Sequence, residues 1–266
     1  MIPLGGADFP TNVSELAEGL RVGLSEFLHL PDGRAPVSAD ADRLHIDASG
    51  AEVETHGRAP DTAGIGQNEP GPSFRSIEVL AHPLVTGGAR ILFDLTAADV
   101  RFNFDRNRSG RPVMTLASAS DGRVTLQISK ADLLALVTAR AREAAGTKGV
   151  EVERIDLNLT QLGPRSVRLE AKADVQTKAI FKMVRGSVLF TARIDIDDRL
   201  VARLSELNVS GEGMMIALAV NLVRGRVTAL EGKEFPLGKF VLGGVRLHDV
   251  QLRVGDELSV TAAFGA

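Results

Sequence analysis

Hydrophobic and polar positions fall into two rhythms along this chain. Over residues 12–28, Val13, Leu16, Ala17, Leu20, Leu24, Phe27 and Leu28 recur at helical spacing and predict an amphipathic helix. Asn12 stands at its start with Glu15 three residues later, an asparagine form of the capping box, and Pro31, Asp32 and Gly33 end it. From Phe74 onward the period drops to two. Ile91, Phe93, Leu95 and Ala97 share one phase and Val100, Phe102 and Phe104 the other, so a bulge is expected near Ala98 and Asp99. The alternation returns in Val124, Leu126 and Ile128, in Ile155, Leu157 and Leu159, in Val167, Leu169, Ala171, Ala173 and Val175, and in Val188, Phe190, Ala192, Ile194 and Ile196. Strands that are apolar on one side only predict antiparallel sheets with a wet outer face and a dry inner one.

Helical rhythm interrupts the strands twice more. Ser129 with Asp132 forms a capping box ahead of Leu133, Leu134, Leu136 and Val137, and Gly146 closes that helix. Over residues 213–231 the run MMIALAV is apolar all round, so a helix there must be covered on more than one face, with Gly232 as its stop and Pro236 beyond. A strand-like segment at 43–55 precedes residues 57–73, GRAPDTAGIGQNEPGPS, which read as a loop, either disordered or a lid. The order strand, helix, strand, strand at 123–176 returns at 198–264 as a repeated architecture. The expected fold is thus β-rich α+β, in a single domain over 1–266.

Composition narrows the classes of function. Of 266 residues, 44% are hydrophobic and 24% charged, and at this length a compact chain buries roughly three quarters of its unfolded surface without disulfides or metals. Cysteine is absent, which removes thiolate ligands and thiol nucleophiles; Trp and Tyr are absent too, leaving Phe alone to stack on bases or sugars. The 34 acidic and 31 basic residues are mixed along the chain and give a net charge of −3, so no nucleic-acid partner is expected. The longest apolar run, residues 214–220, falls well short of the ~20 residues of a membrane-spanning helix, and the N-terminus lacks a basic region followed by an apolar one. The expectation is a soluble, cytoplasmic protein, or a periplasmic or cell-envelope one if an export signal was removed.

No catalytic constellation stands out. His29, His45, His56, His82 and His248 are scattered, without the spacing of a zinc site. Asp195, Asp197 and Asp198 cluster, but without the Gly and distal Glu of a calcium loop, and Asp197-Asp198 reads as a turn between strands. Ser210 lies outside any G-x-S-x-G elbow, and the paired glycines lack the Lys-Ser/Thr of a phosphate loop. A non-enzymatic role without a cofactor is expected. What remains is apolar: Lys178, Lys182 and Arg185 punctuate Ala179, Ile180, Phe181, Met183 and Val184 between two long strands. That greasy, basic connection either continues the strands into the core or meets a membrane.

The segments RGSVLFTARIDIDDRLVARLSELNVSGEG and EGKEFPLGKFVLGGVRLHDVQLRVGDELSVTAAFG, with VTLQISKADLLALV upstream, resemble the bacterial phospholipid-binding proteins of the LmeA type. Those belong, with the bactericidal/permeability-increasing proteins, to the tubular lipid-binding superfamily. The resemblance implies a long curved antiparallel sheet wrapping two or three helices around an apolar tunnel that takes phospholipid or fatty acyl chains. Leu134, Val137, Phe190, Ile194, Met214, Met215, Leu218 and Leu222 would line it, and Lys178, Phe181, Lys182 and Arg185 would meet a head group or a membrane. The Gly/Pro-rich stretch at 57–73 departs from that family's pattern. The rival expectation is a structural or assembly β-module with a fully packed core, whose edges pair with another copy.

Overall fold

The computed structural model describes residues 2–26, 28–30, 36–53, 69–146, 150–179, 182–212, 229–237 and 245–266, and the side chains of all of these except 177–179 and 182–184. It is α+β, dominated by large, mainly antiparallel sheets, with two helices among the described residues. The expected helix over 213–231 lies outside the described residues up to 228. The chain groups into two compact units: Met1–Ile128 with Gly238–Val250 and Val260–Ala266, and Ser129–Leu237 with Gln251–Ser259.

The first unit opens with β1 (Ile2–Pro3), α1 (Val13–Ser25), β2 (Leu28–His29), β3 (Val37–Ala39), β4 (Arg43–Asp47) and β5 (Glu52–Val53). There follow the long hairpin β6 (Glu69–Thr86) and β7 (Ala89–Arg106), then β8 (Pro112–Ser118) and β9 (Asp121–Ser129). The second unit holds α2 (Lys130–Gly146), β10 (Val150–Gly163), β11 (Ser166–Ala179), β12 (Lys182–Ile196), β13 (Val201–Glu212) and β14 (Glu234–Pro236), while the strands β15 (Arg246–Val254) and β16 (Glu257–Gly265) are divided between the units.

The structure changes two expectations. The segment read as a loop over 57–73 ends in strand: Glu69 and Pro70 pair with Phe104 and Asn103 at the start of β6. Gly and Pro signalled a loop, yet both are tolerated at a strand end beside a bulge, and a Cβ at Gly71 would stand 2.9 Å from the Phe102 carbonyl oxygen. The first sheet is also mixed, because β4 and β5 run parallel to β6. Parallel neighbours need a crossover connection, which alternation within a strand cannot reveal. The phase switch in β7 does fall at Asp99, which adopts φ 47 where β7 leaves β9 and takes β8 as its neighbour.

α1 seats itself completely. Its Asn12 cap accepts a hydrogen bond from the Glu15 N–H at 2.9 Å, while the Glu15 carboxylate reaches one residue further back, to the N–H and hydroxyl of Thr11. The helix buries Leu16, Ala17, Leu20 and Leu24 among Leu4, Leu44, Val100, Met114 and Phe264, with Leu20 fully inaccessible. Gly19 and Gly23 make this approach close: the Gly5 N–H donates to the Gly19 carbonyl at 2.7 Å, and a Cβ at Gly23 would lie 2.0 Å from the Pro3 carbonyl oxygen.

Gly23→Ala gains about 1 kcal/mol of helix propensity but forces that contact apart. The net expectation is a loss of about 1–3 kcal/mol, read as a lower urea midpoint. An unchanged or raised midpoint would show that the N-terminal strand is not held against α1.

Candidate functional site

In the second unit the sheet runs β10-β11-β12-β13-β14, all antiparallel. Cross-strand partners share a face, so the register builds rows across it. One row is Ile155, Ala173 and Val188; the next is Leu157, Ala171, Phe190 and Val209; a third is Leu159, Leu169 and Ala192; Val167, Ile194 and Leu204 follow. These residues are all apolar; Gln161, which pairs with Val167 at the β10 end of the last row, is polar and exposed. β11 contributes the small Ala171 and Ala173 to two of these rows, between bulkier neighbours on β10 and β12.

The opposite face is wet and charged. Arg193 pairs with Asp195 at 2.8 Å and with Glu206 at 3.1 Å, and Glu206 also holds Arg168 at 2.7 Å. Hydrogen bonds from Arg168 and Arg193 keep the Glu206 carboxyl below its ordinary value. Burial works to raise that of Asp195, but hydrogen bonds from Ser166 and Arg193 outweigh it and the net direction is down. Asp197 forms the expected turn, accepting from the N–H groups of Arg199 and Val201, each at 2.9 Å. Its carboxyl is lowered first by the Val201 N–H. Among the described residues no three His, Asp or Glu side chains are grouped to hold a metal ion.

A bulge in β13 sets which residues face inward. Glu206 adopts φ 52, and the carboxylate of Glu231 accepts from the N–H groups of Glu206 and Leu207 at 2.9 and 2.7 Å. The extra residue turns Leu204 inward on one side of the bulge and Leu207 and Val209 inward on the other, where an unbroken period of two would have turned Ser205 in. Glu231 thereby keeps the apolar face continuous across β13.

α2 lies over one end of this face. Ser129 caps it as expected, its hydroxyl oxygen accepting from the Asp132 N–H at 3.0 Å. Leu134, Val137, Ala141 and Ala145 pack against the cluster of Val152, Ile155, Val175 and Val209, with Val188 and Phe190 beside them. Arg142 ties the helix to β10, donating to the carbonyls of Val152 and Glu153 at 3.2 and 3.3 Å. Yet α2 buries none of its 17 residues, in contrast to α1. Toward the other end of the face the cover is uneven: Val167, Ala192 and Ile196 are buried, Leu157, Leu159 and Leu169 are half-buried and Ile194 is 38% exposed, while Phe235, on the same face through its pairing with Ala202, is 42% exposed.

The structure thus brings together Leu134, Val137 and Phe190, and places Ile194 further along the same face. Met214, Met215, Leu218, Leu222 and Phe181 lie outside the described residues. Lys178 and Lys182 stand in β11 and β12 at the hairpin end, their side chains likewise outside; Arg185 is exposed, 3.4 Å from Glu153. Sequence reasoning missed Leu157, Leu169, Ala171, Leu204 and Phe235 as parts of one surface. Their phase was legible, but the register that aligns them was not.

Leu20→Ala removes a sealed side chain and should cost about 2–5 kcal/mol, whereas Leu134→Ala removes a half-exposed one and should cost less than about 1.5 kcal/mol. Hydrogen exchange across a urea series, read separately in each unit, checks the contrast. Equal losses would mean that α2 is as tightly seated as α1. Among the described residues no helix is long and apolar enough to cross a membrane. Compared with protein-family models, curated proteins and solved structures, the chain finds no match in any of the three.

Proposed function

We propose that this protein binds lipid without catalysing a reaction, seating acyl chains along the inner face of its second sheet and carrying or presenting them. The observation that supports this reading most is the apolar face itself: four rows of aliphatic and aromatic side chains under a helix that buries none of its own residues. A continuous apolar surface is a recurrent mark of an interaction or ligand site. Each methylene moved onto it from water contributes about 0.8 kcal/mol, so an acyl chain is held without any specific polar contact. An acyl chain would lie along this face beside α2, against Leu157, Leu159, Leu169 and Ile194.

The likeness of the strand and helix pattern to the tubular lipid-binding superfamily supports the same reading. On it, the sheet curves around its helices, and Met214, Met215, Leu218 and Leu222 complete the lining. Lys178, Phe181, Lys182 and the exposed Arg185 would meet a phosphate head group or a membrane surface during exchange.

Organic extraction of natively purified protein, followed by mass spectrometry, should release lipid, and the stripped protein should take up a fluorescent fatty acid saturably. Val137→Asp, which puts a charge where α2 meets the sheet, should weaken uptake at least tenfold, while Val22→Asp on the exposed side of α1 should leave it unchanged. If nothing is extracted and no uptake is seen, or if Val137→Asp binds as the parent does, the lipid reading fails.

A further inference from the structure

We propose that the first unit carries a second binding site, independent of the lipid reading: a basin on the outer face of its sheet that takes a phosphorylated polyol. The basin has a volume of about 590 Å³ and is built from β4, β6, β7 and β9. That volume falls within the range of ~300–1,000 Å³ typical of small-molecule sites. Register sets its plan. One outward row is Arg43, Ser76, Ala98 and Asp121, and the next is His45, Glu78, Thr96 and Arg123.

The middle of both rows is low. Ser76, Ala98 and Thr96 are short, so the larger side chains at the margins stand around a hollow. Beneath it, Gly122 contributes only backbone, because the Phe264 ring fills the place of a side chain; a Cβ there would lie 2.2 Å from that ring.

Charge is distributed unevenly around this hollow. His45 and Glu78 satisfy each other at 3.0 Å. Arg43 and Arg123 occupy opposite margins, about 16 Å apart across three strand spacings and two residues along the strands. Neither forms an ion pair among the described residues, where Arg21, Arg75, Arg111, Arg154, Arg168 and Arg193 all do. The Asp40 carboxylate accepts from the N–H groups of Asp42 and Arg43, each at 2.8 Å, and the Arg43 charge adds to the lowering of its carboxyl that these bonds cause. The lining holds two guanidinium groups and two carboxylates, Glu78 and Asp121, so its formal charges balance and positive charge is confined to the two margins.

Guanidinium groups fork onto phosphate oxygens, and either arginine offers that grip. The hydroxyls of Ser76 and Thr96 and the carboxylate of Asp121 supply the donors and acceptors that ligand hydroxyls require. A plain hydrocarbon or a bare cation satisfies neither set. The shared chemistry is a phosphate on a polyol, which a free sugar phosphate or an inositol lipid head group both present.

The intact protein is titrated with myo-inositol 1-phosphate by calorimetry and by amide shifts, and separately with vesicles of phosphatidylcholine carrying a tenth phosphatidylinositol. Saturable binding with shifts at Thr96 and Gly122, weakened tenfold or more in Arg43→Gln/Arg123→Gln, is the expected result. Binding to the soluble compound alone identifies a free metabolite, and binding to both identifies the head group. Asp121→Asn should raise affinity for inorganic phosphate, since the charge removed repels it. The proposal is overturned if neither probe binds at millimolar concentration, or if the folded double variant binds as tightly as the parent.

Discussion

A sheet whose strands are apolar on one side must cover that side, and among the described residues of the second unit the cover is uneven: Val167, Ala192 and Ile196 are buried, whereas Ile194 and Phe235 stay exposed. The rows running from Ile155, Ala173 and Val188 to Val167, Ile194 and Leu204 place a broad hydrocarbon surface on one plane. The hydrophobic effect acts on all of it equally, roughly in proportion to area. α2 meets one end and ties down through Arg142, but its own side chains stay half in water. Ile194 and Phe235 keep apolar surface in water, and a guest is one way to bury it.

The first unit resolves the same constraint differently. There α1 approaches to backbone contact through Gly19 and Gly23, and Leu20, Val100 and Met114 lose all contact with solvent. Among the described residues, close packing of that kind leaves the space around Leu20 filled. The basin between Arg43 and Arg123 is there for a related reason. Phe264 occupies the inner side at Gly122, and short residues fill the outer rows, so the sheet is thin at that point.

Much of the fold was legible in the sequence because period and caps are local properties. Asn12, Ser129 and Gly146 marked helix ends, and the phase switch in β7 marked Asp99. The chain alone did not disclose what depends on distant partners. Parallel pairing of β4 with β6 is invisible to alternation, and Pro70 and Gly71 carry loop signals into a paired strand. For the candidate site the same division holds. Phe190, Leu134 and Val137 could be named from their patterns, whereas the contributions of Leu169, Leu204 and Phe235 required a register. Glu231 was wholly hidden, since its carboxylate acts on the N–H groups of residues 24 and 25 positions away.

The most direct test is a set of intermolecular NMR contacts between a bound, protonated fatty acid and methyl-labelled, otherwise deuterated protein. Binding along the second sheet predicts cross-peaks from the acyl methylenes to the methyls of Leu134, Ala171, Ala173, Val188 and Leu169, and none to Leu20 or Val100. Cross-peaks confined to the first unit, or none at saturating fatty acid, would contradict the claim that this open apolar face is where the protein works.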